Sequence, residues 1–115
     1  MDNKILEIEE KEGIGVIQPE EEIVFENSNS LKEKTKNKVK EEGIQNLIID
    51  FDSVPYLDSS GIGFIISLLK FMRQQEGTLV ITNLNDRVKR VCELTKLNEI
   101  IDIYENNEEA AAALN

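Results

Sequence analysis

The fold of this chain is constrained most by an apolar run typical of a strand, followed after a short loop by an apolar run typical of a helix. The first run spans residues 47–51 and the second spans residues 62–72. The first run contains three consecutive apolar residues, Leu47, Ile48 and Ile49, as expected in a central strand that is covered on at least one face. Alternation of strands and helices predicts parallel neighbours joined by right-handed crossovers.

The other elements extend this pattern at both ends of the chain. Residues 4–10 and 13–18 are predicted to be strands of a hairpin with Gly13 in the turn. A helix is predicted from caps among residues 27–30 to about Glu42, with Gly43 as its C-cap. A strand at 78–82, a helix after Asn85 or Asp86, a strand at 100–104 and a helix from Asn106 or Asn107 complete the order. The predicted class is α/β, with a mixed sheet of four to five strands.

Composition limits the classes of function. A chain of 115 residues with 40% apolar and 31% charged residues fits one soluble domain spanning residues 1–115. A net charge of −10 argues against nucleic acid as a partner, since phosphate backbones require basic surfaces. No apolar stretch approaches the roughly 20 residues that cross a bilayer, and no signal peptide is visible. Cys92 is the only cysteine and is expected to be buried, so we expect a cytoplasmic protein without membrane contact.

Enzymatic chemistry has little support in the residues. The chain has no histidine, which removes the usual general base for a serine nucleophile and the usual nitrogen ligand for zinc. Neither a Gly-x-Ser-x-Gly elbow nor a Gly-Lys-Ser/Thr phosphate loop is present. One alternative stays open: Asp50, Asp52 and Asp58 could gather Mg²⁺, as in receiver domains that accept phosphate on aspartate. Otherwise we expect no catalysis, no cofactor and no metal.

The sequence Asp58-Ser59-Ser60-Gly61 lies where the predicted strand gives way to the predicted helix. Asp58 is a candidate cap, and a phosphate on Ser59 or Ser60 would be favoured by the N–H groups and dipole of the helix. Gly61 and Gly63 have no side chains and would let another molecule approach closely. The residues alone also fit an ordinary capped helix whose glycines serve packing on the sheet, and the pattern by itself favours this simpler interpretation.

Two further features are compatible with a partner surface. Five lysines alternate along the first helix and form either a solvated face or a basic patch that steers an acidic partner: Lys32, Lys34, Lys36, Lys38 and Lys40. The helix after Ser59 carries apolar residues on two faces, so it must contact both the sheet and something else. The sequence does not tell whether one of these faces is covered by neighbouring helices or by a partner. That face consists of Phe64, Leu68 and Phe71.

Residues 47–51 and 54–63 together resemble the signature of anti-sigma factor antagonists, the small single-domain STAS proteins of bacteria. The similarity continues through residues 77–81, 88–91, 94–97 and 100–101. The resemblance implies a mixed sheet with about four helices packed mainly on one face. It also implies that the unphosphorylated protein binds an anti-sigma factor that is a serine/threonine kinase, and so frees a sigma factor.

In the same resemblance, the kinase uses ATP to phosphorylate the first serine after the aspartate, here Ser59, and a PP2C-type phosphatase restores binding. Asp58, Ser60 and Gly61 would belong to the docking surface, together with Gly63 two residues further on. An alternative is a STAS scaffold subunit inside a larger stress-signalling assembly, in which Ser59 is never modified.

The sequence departs from the family pattern ahead of the first helix. Family members commonly show Gly-x-Leu-Asp there, whereas residues 21–24 of this chain read Glu-Glu-Ile-Val. The missing aspartate, at the position of Val24, belongs to a loop expected near Ser59. Three acidic residues close by, Glu20, Glu21 and Glu22, are candidates to replace it.

Overall fold

The computed structural model describes residues 4–7, as backbone, and residues 13–114. The strands are β1 Lys4–Glu7, β2 Ile14–Gln18, β3 Asn46–Asp50, β4 Thr78–Thr82 and β5 Asp102–Tyr104. The helices are α1 Phe25–Glu42, α2 Ser59–Gln74, α3 Asp86–Leu94 and α4 Asn107–Ala113, with a 3₁₀ turn at Leu97–Glu99. The predicted link between the first two strands, and the end of the first strand beyond residue 7, lie outside the described residues.

One mixed sheet organises the described chain. Its strand order is β1-β2-β3-β4-β5, with β1 antiparallel to β2 and the remaining neighbours parallel. Ile48 of β3 lies between Val16 of β2 and Val80 of β4 in the register. The predicted α/β class and the predicted parallel pairing of neighbouring strands are therefore confirmed, and the run at residues 47–49 is the middle of the central strand.

Side chains alternate along β3 and divide the core into two parts. Leu47 and Ile49 pack in the main core with residues of α1, α2 and α3. Ile48 points to the opposite face, where Ala110 of α4 covers it. Three helices thus cover one face and a short helix covers the other, which confirms the expectation that the helices lie mainly on one face.

The first helix begins earlier than the sequence predicts. Phe25 is its first residue, and Val24 ahead of it has an extended backbone without a side-chain acceptor. The Asn27 side chain reaches back instead, and its Oδ1 accepts the N–H of Val24 at 2.9 Å. Residues 27–30 therefore lie inside the helix rather than before it. The other end is as predicted, because Gly43 has the left-handed φ of 65° that ends a helix.

Cys92 behaves as the sequence predicts. Its side chain is fully buried in the main core on the inner side of α3. Burial, followed by the nearby Glu93 carboxylate, raises the pKa of the Cys92 thiol to about 11. The thiol therefore stays protonated near neutral pH.

A buried polar network ties the sheet to α4. The Asp50 carboxylate at the end of β3 accepts the backbone N–H of Asp52 at 2.9 Å and the Asn83 amide at 3.0 Å. Its second oxygen accepts the Asn107 amide at 2.9 Å. The Thr82 hydroxyl donates to Oδ1 of Asn107 at 2.6 Å. Residues from β3, β4 and the first turn of α4 are thereby joined through one carboxylate.

We expect Asp50→Ala to lower the free energy of unfolding by about 2 kcal/mol, because it removes a buried carboxylate and leaves three partly buried donors without their acceptor. Urea denaturation followed by circular dichroism measures the change. Asp52→Ala is the matched control: the Asp52 side chain is exposed and its backbone N–H makes the bond, so we expect a change within about 0.5 kcal/mol. Equal losses in the two variants would contradict the role of the network.

Candidate functional site

Ser59 is the first residue of α2, and its side chain is exposed. The following Ser60 is half-buried. Asp58, the residue before them, is the N-cap of α2 and has an extended backbone. The predicted cap is therefore confirmed, and the Ser59 side chain is accessible from solvent.

The Asp58 carboxylate serves two helices. Its Oδ1 accepts the N–H of Ser60 at 2.7 Å and the N–H of Gly61 at 3.2 Å, which caps α2. Its Oδ2 accepts the N–H of Phe25, the first residue of α1, at 3.3 Å. Both helix N-termini carry partial positive charge, so one carboxylate stabilises both.

Backbone contacts hold the same two segments together. Ile23 N–H donates to the carbonyl of Tyr56 at 3.1 Å, and Asp58 N–H donates to the carbonyl of Ile23 at 3.3 Å. Ile23 and Leu57 form an isolated parallel bridge. The loop in which the family aspartate was expected therefore lies against the loop that leads into Ser59 and α2.

Val24 occupies the position of that missing aspartate, at the N-cap of α1. Since valine accepts no hydrogen bond, the start of α1 depends on Asn27 from within the helix and on Asp58 from the neighbouring loop. Of the three glutamates considered as replacements, Glu22 takes part through its backbone, whose carbonyl accepts the Asn27 amide at 2.7 Å.

The two glycines that follow Asp58 have different surroundings. Gly61 is buried, and a Cβ there would lie 2.5 Å from Cβ of Leu57 and 2.7 Å from the carbonyl oxygen of Ile23. Gly63 is exposed, and a Cβ there would meet nothing within 4 Å. The close approach expected at Gly61 is thus made by the chain's own loop at residue 23, and its place in a docking surface stays a prediction.

A groove opens beside Ser60 between the N-terminal halves of α1 and α2. We call it the α1–α2 groove; its volume is about 360 Å³ and it is lined by Phe25, Ser28, Asn29, Lys32, Ser60, Gly63, Phe64 and Ser67. Phe25 on its rim is 77% exposed, although it is a large aromatic residue. Phe25 is not among the residues predicted for the site. Its one signal in the sequence is an aromatic residue directly ahead of a polar cluster typical of helix starts.

The second apolar face of α2 is covered by the chain itself. Phe64 and Leu68 are buried in the main core. Phe71 is half-buried, with the ammonium groups of Lys36 and Lys40 at 5.4 Å and 5.9 Å from its ring centroid. The basic run is therefore divided: two lysines cover Phe71, while Lys32 lines the α1–α2 groove.

The aspartates considered for Mg²⁺ fall into two separate networks. The Asp50 carboxylate accepts the backbone N–H of Asp52 and the side-chain amides of Asn83, just after β4, and Asn107 of α4. The Asp58 carboxylate instead accepts backbone N–H groups at the N-termini of α1 and α2. Within residues 4–7 and 13–114, no group of three or more potential acidic, cysteine or histidine ligands lies close enough to hold a metal ion. The described geometry therefore gives no support to the receiver-like alternative.

Comparison with known proteins identifies the family. The model of the STAS domain matches residues 6–110, so the chain belongs to the STAS domain family. The anti-sigma-B factor antagonist of Staphylococcus aureus is 28% identical over 76 residues, which are 66% of this chain and 70% of that protein.

Solved structures agree with this assignment. The crystal structure of the protein TM1081 from Thermotoga maritima is 25% identical, with a TM-score of 0.86 over 98% of this chain and 92% of that chain. The Bacillus anti-sigma factor antagonist SpoIIAA shares the fold at 17% identity in its unphosphorylated form, with a TM-score of 0.79 over 96% of this chain and 93% of that one. Its phosphorylated form has a TM-score of 0.73 at 16% identity, over 99% of this chain and all of that one. In the described part of the chain, no helix has the length and apolar character needed to span a membrane.

We expect Asp58→Ala to lower the free energy of unfolding by about 2 kcal/mol, because two helices lose their acceptor. Asp58→Asn keeps one acceptor for α2 and should cost about 1 kcal/mol, with faster hydrogen exchange at the Phe25 amide. Denaturation and exchange measured by NMR test this.

Asn106→Ala is the control for this pair, since Asn106 caps α4 alone by accepting the N–H of Glu109 at 2.8 Å. If Asp58→Ala lowered the free energy of unfolding by no more than Asn106→Ala does and left hydrogen exchange at the Phe25 amide unchanged, the prediction would be wrong. That result would show that the hydrogen bond from Phe25 to Asp58 contributes nothing to stability.

Proposed function

We propose that this chain is an anti-sigma factor antagonist that is switched by phosphorylation. The unphosphorylated form binds an anti-sigma factor and so releases a sigma factor, and a phosphate on Ser59 turns this binding off. The observation that carries the proposal is the exposed Ser59 side chain at the first residue of α2, directly after the capping Asp58. Membership in the STAS family and the printed names of the Staphylococcus aureus and Bacillus relatives support it.

The physical basis is a change of charge at a fixed place. A phosphate adds a charge of about −1.5 to −2 at pH 7. At the N-terminus of α2 this charge is compatible with the fold, because the free N–H groups and the helix dipole favour an anion there. The modification therefore acts on what a partner meets at the surface rather than on the stability of the chain.

The partners follow from the same proposal. The anti-sigma factor is a serine/threonine kinase that uses ATP, and a PP2C-type phosphatase removes the phosphate. The docking surface includes Asp58, Ser60 and Gly63 around the switch residue, with Gly61 setting how closely the N-terminus of α2 lies to the neighbouring loop. The chain acts as a single STAS domain spanning residues 1–115 and works in the cytoplasm, where sigma factors meet RNA polymerase.

We expect incubation with ATP and the anti-sigma factor kinases of the same genome to label Ser59, as identified by peptide mass mapping. Ser59→Ala should remain unlabelled and bind the kinase as the wild-type chain does. Ser59→Asp should bind at least tenfold more weakly in isothermal titration calorimetry, because it places a permanent charge at the docking surface.

The control for this experiment is Ser53→Ala, which changes an exposed serine in the loop before α2 and should be labelled like the wild-type chain. Equal binding by the wild type, Ser59→Ala and Ser59→Asp would reject the switch. Native material that elutes in a very large complex with unmodified Ser59 would instead identify a scaffold subunit.

A further inference from the structure

We infer that the α1–α2 groove receives an apolar side chain of the anti-sigma factor together with a neighbouring carboxylate. This inference rests on the proposed function and deepens it, because it specifies the chemistry that the partner presents beside Ser59. It is carried by an unexplained glycine, an exposed aromatic ring and one lysine, all of which line the same groove.

Gly63 lies inside α2 and lines the α1–α2 groove. Glycine inside a helix is less stable than alanine, so its presence there needs a reason. The fold supplies no reason at Gly63, because a Cβ would meet nothing within 4 Å and the backbone does not have a positive φ. Gly61, by contrast, is required by contacts with Leu57 and Ile23. The missing side chain at Gly63 thus keeps open a space that this chain does not fill.

Two aromatic residues, Phe25 and Phe64, form part of the walls of the α1–α2 groove. Phe25 stands on one side with 77% of its surface exposed, and the buried Phe64 contributes to the lining. The backbone N–H of Phe25 donates to the Asp58 carboxylate. This hydrogen bond links the backbone that bears the Phe25 ring to the residue just before Ser59. Exposed aromatic residues at fixed positions are typical anchors of protein interfaces, where they pack against apolar side chains.

The charge on the lining of the α1–α2 groove is opposite in sign to the net charge of the chain. Lys32 is the one charged residue among the eight that line the groove, in a chain whose net charge is −10. Its ammonium group favours a carboxylate on the occupant and disfavours a basic group. The remaining polar lining consists of serine and asparagine side chains, which can both donate and accept hydrogen bonds.

The position of the groove connects it to the switch. Ser60 lines the groove and directly follows Ser59, so a phosphate on Ser59 would bring a dianion to the groove entrance. The dianion would repel the same carboxylate that Lys32 attracts, and its volume would narrow the approach past Gly63. The groove thereby accounts for the direction of the switch, in which phosphorylation weakens binding.

The steric test is Gly63→Leu, measured against the anti-sigma factor that binds the wild-type chain in the preceding experiment. We expect the variant to fold with a Tm equal to or above that of the wild type, because the added side chain enters open space and replaces a helical glycine. Its affinity should fall at least tenfold, as should that of Phe25→Ala. Lys70→Leu is the control, since Lys70 is an exposed residue of α2 outside the groove and should bind within twofold of the wild type.

The charge test is Lys32→Glu, with Lys70→Glu as a control that changes the net charge equally. We expect Lys32→Glu to bind at least tenfold more weakly and to show a smaller dependence of binding on ionic strength, while Lys70→Glu binds within about twofold of the wild type. Gly63→Leu and Lys32→Glu variants that bind like the wild type would overturn the inference and leave the proposed function intact.

Two other outcomes also decide the matter. Failure of every anti-sigma factor of the genome to bind the wild-type chain would reject the proposed function and this inference with it. A concentration-dependent dimer of the wild type that Gly63→Leu abolishes, seen by analytical ultracentrifugation, would make a second copy of the chain the occupant and overturn the assignment to an anti-sigma factor.

Discussion

The geometry around Ser59 depends on one carboxylate that is shared by two helix N-termini. Asp58 places one oxygen on the first turn of α2 and the other on the first residue of α1. Each helix would otherwise expose unsatisfied N–H groups at that end. Because the two starts are held by the same group, the relative position of Ser59 and Phe25 is fixed by contacts that span two loops. A phosphate on Ser59 would therefore be added beside a carboxylate that binds both helix starts.

The second carboxylate at the sheet has a different task. Asp50 joins the end of β3 to Asn83 after β4 and to α4 through partly buried hydrogen bonds, whereas Asp58 lies between the starts of two helices. Asp50 is the last residue of β3 and Asp58 is the N-cap of α2, in a region where the sequence has several aspartates close together. Their surroundings give them different roles. Asp50 anchors the short helix α4 on one face of the sheet. Asp58 positions the starts of α1 and α2, beside the proposed switch residue, on the other face.

Much of the fold could be predicted from the sequence because its signals are local. The apolar run of β3, the cap at Asp58 and the left-handed residue Gly43 each act within a few positions of the chain. The start of α1 could not be predicted in this way. It depends on the Asn27 side chain reaching back to Val24 and on Asp58, 33 residues further along the chain than Phe25.

The same distinction applies to the site. The sequence identified Ser59, Ser60 and the two glycines as one cluster, since they are adjacent in the chain. Only the tertiary contacts separate Gly61, which packs against Ile23 and Leu57, from Gly63, which faces open space. Likewise, no pattern in the chain tells which two of its five alternating lysines lie over Phe71 and which one lines the groove.

The chain already has a net charge of −10, so the charge of one phosphate changes the total little. A phosphate on Ser59 must therefore affect partner binding through its immediate surroundings. At physiological ionic strength the field of exposed charges fades over about 8 Å, and the distant glutamates contribute little at the groove. The groups that would face a docking partner there are Lys32, the N-terminus of α2 and the rim at Phe25. In the proposed switch, a dianion on Ser59 would oppose the charge of Lys32 and would also occupy volume beside Gly63. High salt would weaken the first effect but not the second, so a phosphorylated chain should remain a poor binder even when its charges are screened.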